Sequence, residues 1–483
     1  MTLRVQDQSP EVQAMAQHWP IVDALLGGTA AMRAAKREFM PQWPAEENAA
    51  YDVRISTATL FPAFRRTLDV MAGKPFSRSL TLGKDVPKDI VEWSGNIDLD
   101  GRSLHAFASE LLREALSCGI AGILVGHQPN NGAVTKADYK MAGLRPFMTH
   151  VQHQNILGWQ AAHVNGVQRL TQIRLAEVEK QADGPYGTKL VRRVRVLEPG
   201  RWELWEEQKD GKYALIDHGT VTFNGIPFVP VYGVRKGFMH GESPLLDLAY
   251  LNVKHWQSQS DQDNILRVAR VPILAMIGAE DDSTLRVGAS SAVKLPQGAA
   301  LQYVEHSGAA IGAGQSALEK LEEQMIQTGA ELLVQRPGQR TATESSNDAE
   351  ASRSELLRIV ENFEDSLDLA LQYMAEWQGG DDGGHVSLFK DFGAATLSDA
   401  SAQLILSMQQ GGLITRGTAL REQQRRGLLN AELDPELELA AVEAEGPKLG
   451  EMNSGGESVD YDDEEQYGGY TATHTSLGIK VSR

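Results

Sequence analysis

Asn96, Asp98, Asp100 and Gly101 stand at the spacing of the first half of a calcium-binding loop, where alternate oxygens would wrap a hard cation. The twelfth position ends that reading. It is Phe107, where the geometry requires a bidentate glutamate, so the four residues read as a turn leading into a helix. Gly73-Lys74 in "MAGKPFS" has the look of a phosphate loop, but Leu68 occupies the place of its first glycine and Pro75 that of the magnesium-holding Ser or Thr. It too reads as a turn. His150, His153 and His163 fall in a stretch read as irregular loop, with no cysteine beside them and no HExxH, and are taken as solvent-facing imidazoles. Cys118, the only cysteine, sits in "LLREALSCGIAGILVG" and reads as a small buried hydrophobe. There is no G-x-S-x-G elbow and no G-x-G-x-x-G after a strand. Carboxylates are plentiful, yet no spacing picks out an acid–base pair. The expectation is no enzyme, no cofactor and no metal.

A single cysteine precludes an intrachain disulfide and fits a reducing compartment. The formal net charge is −18, unevenly spread: residues 431–470 hold 13 Asp and Glu against one Lys, leaving only −6 for the rest. A basic footprint for tight nucleic-acid binding is missing. "MTLRVQDQSPEVQ" lacks the apolar core of a signal peptide, and no stretch approaches the roughly 20 apolar residues of a membrane span, so a soluble protein with no membrane partner is expected. At 483 residues, 42% of them hydrophobic, the chain can bury a real core in two to four units.

The elements follow from pattern and punctuation. "YDVRISTATLFPAFRRTLDVMAGKPF" reads as helical with a bend at Pro62, and Asp100 or Ser103 caps an amphipathic helix over Leu104, Phe107, Leu111, Leu112 and Ala115. "GILVGH" reads as a buried strand. From about 145 to 234 the pattern turns to strands, with Asp210-Gly211 as a tight hairpin. Arg193 and Arg195 share one face of a strand, which reads as a solvated sheet face or subunit contact. Runs of helix and then of strand make the fold class α+β. "SPLLDLAYLNVKHWQSQSDQDNILRVARVPIL" then reads as one long helix, polar on every face from Gln257 to Asn264. The rival reading is two shorter helices with a loop between. Short strands follow, then a second helix with Leu318, Leu321 and Met325 on one stripe, a polar loop, and a third helix from about Asp348 to Trp377. Its seam is Leu356, Ile359, Phe363, Leu367, Leu371 and Met374. Two short helices and a Gly-, Ser- and acid-rich tail complete the chain, with no fixed-period repeat.

This order of elements resembles the portal proteins of tailed bacteriophages. The resemblance runs over roughly residues 50–430 and is carried by "YDVRISTATLFPAFRRTLDVMAGKPF", "GRSLHAFASELLREALSCGIAGILVGH", "SPLLDLAYLNVKHWQSQSDQDNILRVARVPILAMIG" and "ALEKLEEQMIQTGAELL". It implies a mixed α/β wing (51–240), a stem helix (241–270), a clip (271–314), a second stem helix (315–334), a channel loop (335–347), a long wing helix (348–378) and a helical crown (379–446). An N-terminal segment (1–50) and the acidic tail (447–483) lie outside the resemblance. The resemblance further implies a dodecameric ring at a capsid vertex, made in the host cytoplasm and carried in the virion. Double-stranded DNA would pass through it non-specifically during packaging and ejection. Major capsid protein, terminase packaging motor and head–tail adaptor would be its partners, with ATP hydrolysis left to the motor.

Carried over by position, Gln335, Arg336, Gln339, Arg340, Thr341 and Thr343 would lie in the channel loop. Gln257, Gln259, Asp261, Asp263, Leu318, Leu321 and Met325 would lie in the stem. A stem helix that faces neighbouring copies and a wet channel would have no single apolar stripe, which accounts for the polar middle. A neutral or acidic wall would also let DNA slide without clamping its phosphates. Two rivals stand beside this reading. One is another capsid-associated structural protein, a head-completion or scaffold-linked component without a through-channel. The other is a hydrolase or nuclease using carboxylates of no recognised spacing.

Overall fold

Prolines and glycines divide the first hundred residues into short helices: α1 (Pro10–Ala16), α2 (Trp19–Leu26), α3 (Gly28–Ala35), α4 (Asn48–Thr57), α5 (Ala63–Gly73) and α6 (Lys88–Trp93). The computed structural model describes residues 3–129, 138, 141–270, 273–277, 300–304, 309–333, 355–390, 392, 399–425, 429 and 433–444. The single helix expected across Pro62 is two. Ala58 leaves α4 in an extended conformation (ψ 140°), and helix resumes only after Pro62, whose ring disfavours helical geometry in the residue before it. Leu60, off any helix, is buried all the same.

α7 (Leu104–Cys118) begins at Ser103, whose hydroxyl accepts from the Ala106 N–H. It ends at Gly119, which adopts φ 88°, and a Cβ there would sit 2.8 Å from the backbone of Glu242. The chain turns directly into β2 (Ile120–His127), the centre of an antiparallel sheet with β3 (Pro146–Val151) and β9 (Phe228–Tyr232). Ile120, Ala121, Ile123 and Val125 are all buried, so both faces of β2 are covered. A meander of β4 (Ile156–Val164), β5 (Val167–Asp183), β6 (Gly187–Glu198), β7 (Arg201–Glu207) and β8 (Tyr213–Thr220) follows in sequence order; β1 (Thr81–Leu82) and the hairpin of β10 (Val234–Gly237) and β11 (His240–Glu242) are short additions. Gly211, at φ 75°, turns β7 into β8 as the Asp-Gly pair predicts.

The arginines of β6 lie on a ladder of opposite charge. Arg193 meets Glu179 and Glu206, Arg195 meets Glu177, and Arg192 lies 3.7 Å from Glu207. Cross-strand pairing thus occupies the cations that stood out in the sequence.

Three long helices follow: α8 (Leu246–Ala269), α9 (Ala309–Leu333) and α10 (Glu355–Trp377). Between the first two, β12 (Ile273–Ile277) and β13 (Ala300–Val304) pair antiparallel. Every expected seam residue of α10, from Leu356 to Met374, is buried, and the helix packs on β2, β3 and β9. After it, Val386 pairs with Leu82, so the residues just beyond Gly379 stay with the first body of the protein, which runs to Phe392. A second unit holds α11 (Asp399–Gln410), α12 (Arg416–Arg425) and α13 (Pro435–Ala444), with Ile405 and Ala419 buried within it. The fold is mixed, with helices and antiparallel sheets, as the α+β expectation has it. No helix among the described residues is long and apolar enough to cross a membrane.

Candidate functional site

α8 is unbroken over 24 residues, about 36 Å of rod. α9 runs beside it antiparallel over 25 residues: Gln262 meets the start of α9 at Ile311, while His255 Nε2 lies 3.1 Å from Oε1 of Glu322 farther along. The pair also rests on α5, and α9 touches α10.

In the polar middle of α8, expected to face neighbouring copies and water, two side chains serve this chain's own backbone. Gln257 Nε2 donates to the Phe39 carbonyl at 3.0 Å, and Gln262 Nε2 to the Ile311 carbonyl at 3.0 Å. Ser260 and Gln262 are buried. Asn252 Oδ1 accepts from the Phe64 N–H at 2.9 Å while its Nδ2 donates to the Phe61 carbonyl at 2.8 Å, filling the gap that Pro62 opens before α5. The physical reason is simple. Interrupted helices leave unpaired backbone groups, and the long rod beside them supplies the partners. Asn252→Leu is expected to cost about 1–3 kcal/mol, because the buried Phe64 N–H loses its acceptor; urea unfolding measures it.

Of the other expected stem residues, Gln259 bonds Asp263 one turn on, at 2.9 Å, and Asp263 is exposed. Asp261 lies 3.9 Å from Arg54, and burial raises its carboxyl above the usual range. Leu318, Leu321 and Met325 are buried, on the helix that packs against α8, α5 and α10. Arg54 is the electrostatic anchor beneath α8. Both Nε and Nη2 reach Glu46 at 2.7 Å, Nη2 reaches the Pro41 carbonyl at 2.8 Å, and the guanidinium lies 4.3 Å from the Trp43 ring. Hydrogen bonding to Arg54 holds the Glu46 carboxyl below its ordinary value. Gln335, Arg336, Gln339, Arg340, Thr341 and Thr343, like the acidic tail, lie outside the described residues.

Residues 244–378 match a family. Its description is "Domain of unknown function (DUF4055)", and the matched span takes in α8, the β12–β13 ladder, α9 and α10. No curated protein matches the chain. Among solved structures, the chain is similar to one from "Virion of native gene transfer agent (GTA) particle", at 12% identity and TM-score 0.41, covering 76% of this chain and 89% of that one. It is similar also to one from "Neck of native GTA particle computed with C12 symmetry", at 12% identity and TM-score 0.39, with 76% and 89% covered. A third is "Neck of empty GTA particle computed with C6 symmetry", at 12% identity and TM-score 0.39, with 76% and 90% covered.

A second place of chemical interest lies at the end of α7, and it overturns the reading of His150 and His153, while His163 on β4 is exposed as expected. His150 is on β3 and His153 in the turn after it, both largely buried. Each is drawn to Glu114 of α7: His150 Nε2 lies 2.7 Å from Oε2, and His153 Nδ1 lies 2.7 Å from Oε1, which also accepts from the His153 N–H. Burial opposes ionisation of Glu114, but the two imidazoles outweigh it and hold the carboxyl down at about 2. Burial likewise disfavours a charged His153, while Cys118 and Glu114 beside it push the imidazole up to about 10. No linear spacing signals this cluster. Glu114 and Cys118 share a helix face at i and i+4, but the histidines reach them only through the β2–β3 pairing.

Proposed function

We propose that the chain is a structural component of a phage-like particle, and within that class the portal subunit. It would form a ring at a capsid vertex through which double-stranded DNA is packaged and ejected. The observation that carries this reading is the order α8, β12–β13, α9, α10. Two antiparallel rods of 24 and 25 residues are joined through a strand pair and followed by a 23-residue helix, in the sequence the portal resemblance implies. In this reading α8 and α9 are the stem, the strand pair belongs to the clip, and α7, α10 and the sheets form the wing. The ring would bind copies of itself, major capsid protein, the terminase motor and a head–tail adaptor, and would reside in the virion. Arg336 and Arg340 of the channel loop would touch passing phosphate.

One observation favours a second reading, a capsid-associated structural protein without a through-channel. Asn252, Gln257 and Gln262 of α8 bond main chain within this chain, so these three side chains do not call for a water-filled pore. Negative-stain images of purified protein separate the two. Rings with a central hole support the portal reading, and monomers or solid assemblies at high concentration remove it. Neutralising Arg336 and Arg340 together is expected to change DNA packaging while rings still form. Loss of ring assembly would instead make them subunit contacts.

A further inference from the structure

Asp23, Cys118 and His153 come from three separate segments and converge at one point. Their ligand atoms all lie within 4.8 Å of one another. Asp23 stands one turn after Trp19 on α2, Cys118 is the last residue of α7, and His153 follows β3. The imidazole is held in place before any ligand arrives. Its Nδ1 is engaged by Glu114, and the Trp19 ring meets it edge-on at 4.7 Å. Trp19 is itself tied to the Cys118 carbonyl through Nε1 at 3.1 Å. That leaves His153 Nε2, a buried nitrogen without a hydrogen-bond partner on a residue only 7% exposed. An orphaned buried ring nitrogen costs free energy unless something meets it.

We propose that Asp23, Cys118 and His153 form a site for a divalent transition ion of the zinc class. A thiolate, an imidazole nitrogen and a carboxylate oxygen are the donor types such ions take. A carboxylate on the far nitrogen of a ligating histidine is the usual device for orienting it, and Glu114 occupies that position. A tetrahedral ion with bonds of about 2.0–2.3 Å sets its ligands roughly 3.3–3.7 Å apart. The side chains therefore close in by about 1 Å, led by exposed Asp23. On binding, the ion replaces the Cys118 thiol proton and the proton on His153 Nε2, and both protons leave to solvent.

Beside Cys118 lies a cavity of about 70 Å³, lined by Met15, His18, Trp19, Ser117 and Ser243 among others. It has room for a few waters on the Cys118 side of the site, while Asp23 and His153 lie outside its wall. The same size argues against the other chemistry that Cys118, His153 and Glu114 suggest, a thiol nucleophile with its base. The space is too small to seat a substrate. The ion would act as a staple, fastening α2 to the α7–β2 junction and the β3–β4 link.

The test uses the full chain, freed of metal by chelator, with Co2+ and Zn2+ as the probes. Because Cys118 is the only cysteine, every thiol signal belongs to this site. One equivalent of Co2+ is expected to give a near-ultraviolet thiolate-to-cobalt band that Zn2+ abolishes, and Zn2+ is expected to slow alkylation of Cys118 by about tenfold or more. Asp23→Asn, an isosteric change at an exposed position, is expected to weaken Co2+ binding by about tenfold or more. Cys118→Ala removes the band. Absence of both the band and the protection in the folded wild-type chain overturns the proposal, as does undiminished Co2+ affinity in Asp23→Asn. Fast alkylation that Zn2+ does not slow points to a free thiol and overturns it as well.

Discussion

Arg54→Met is expected to lower the stability of the protein by about 3–5 kcal/mol, the usual cost of removing one partner of a buried ion pair. Methionine fills much of the space but leaves the Glu46 side chain, only 5% exposed, charged and alone, and it leaves the Pro41 carbonyl without its donor. Lysine should not rescue the site. A single ammonium cannot span both Glu46 oxygens as the guanidinium fork does, nor stack as well on Trp43. The double change Arg54→Met with Glu46→Leu should recover much of the loss, since an apolar pair of similar volume often replaces a buried ion pair at little cost. Denaturant unfolding at fixed protein concentration measures all four proteins. A single-mutant loss below about 0.5 kcal/mol would mean that solvent reaches Glu46 freely. Because Asp261 of α8 also leans on Arg54, hydrogen exchange in the middle of α8 should quicken in the same variant.

Glu114→Gln is expected to cost a similar amount, about 3 kcal/mol in the metal-free protein, and its pH dependence identifies the cause. The Glu114 carboxyl titrates at about 2 in the folded chain against an ordinary value of 4.5. A depressed carboxyl contributes stability that is fully present above the unfolded value and is lost as pH falls through the folded one. The gap between wild type and Glu114→Gln should therefore be widest between about pH 4.5 and 6.5, should close as the pH falls toward 2, and should narrow again as the pH rises toward 10, where His153 loses its charge. The groups facing Glu114 are His150 and His153, with Asp23 and Cys118 just beyond His153. A gap independent of pH would assign the loss to packing instead of charge.

Local periodicity made much of this fold legible. The seam of α10, the stripe of α7 with its Ser103 cap, and the Asp210-Gly211 hairpin all rest on contacts within a few residues, where spacing is informative. The failures have one cause. α8 looked polar because sequence shows which side chains a helix carries and not which backbone groups lie opposite. Asn252, Gln257 and Gln262 each bond main chain remote in sequence, at Phe61 and Phe64, Phe39 and Ile311. His150 and His153 were misread for the same reason. Their partner Glu114 is 39 residues from His153, and only the β2–β3 pairing brings them together. The helix expected through Pro62 was a lesser error, because residues on either side of the break still face the core.

One consequence of the α8 contacts reaches beyond the single chain. A rod already fastened by its own glutamines and asparagine has little left to rearrange when another molecule arrives. Joining copies would then be the docking of finished parts, governed by how many molecules are present and how their outer surfaces match. Mixing at rising concentration should speed such joining while the far-ultraviolet circular dichroism of each chain stays as it was.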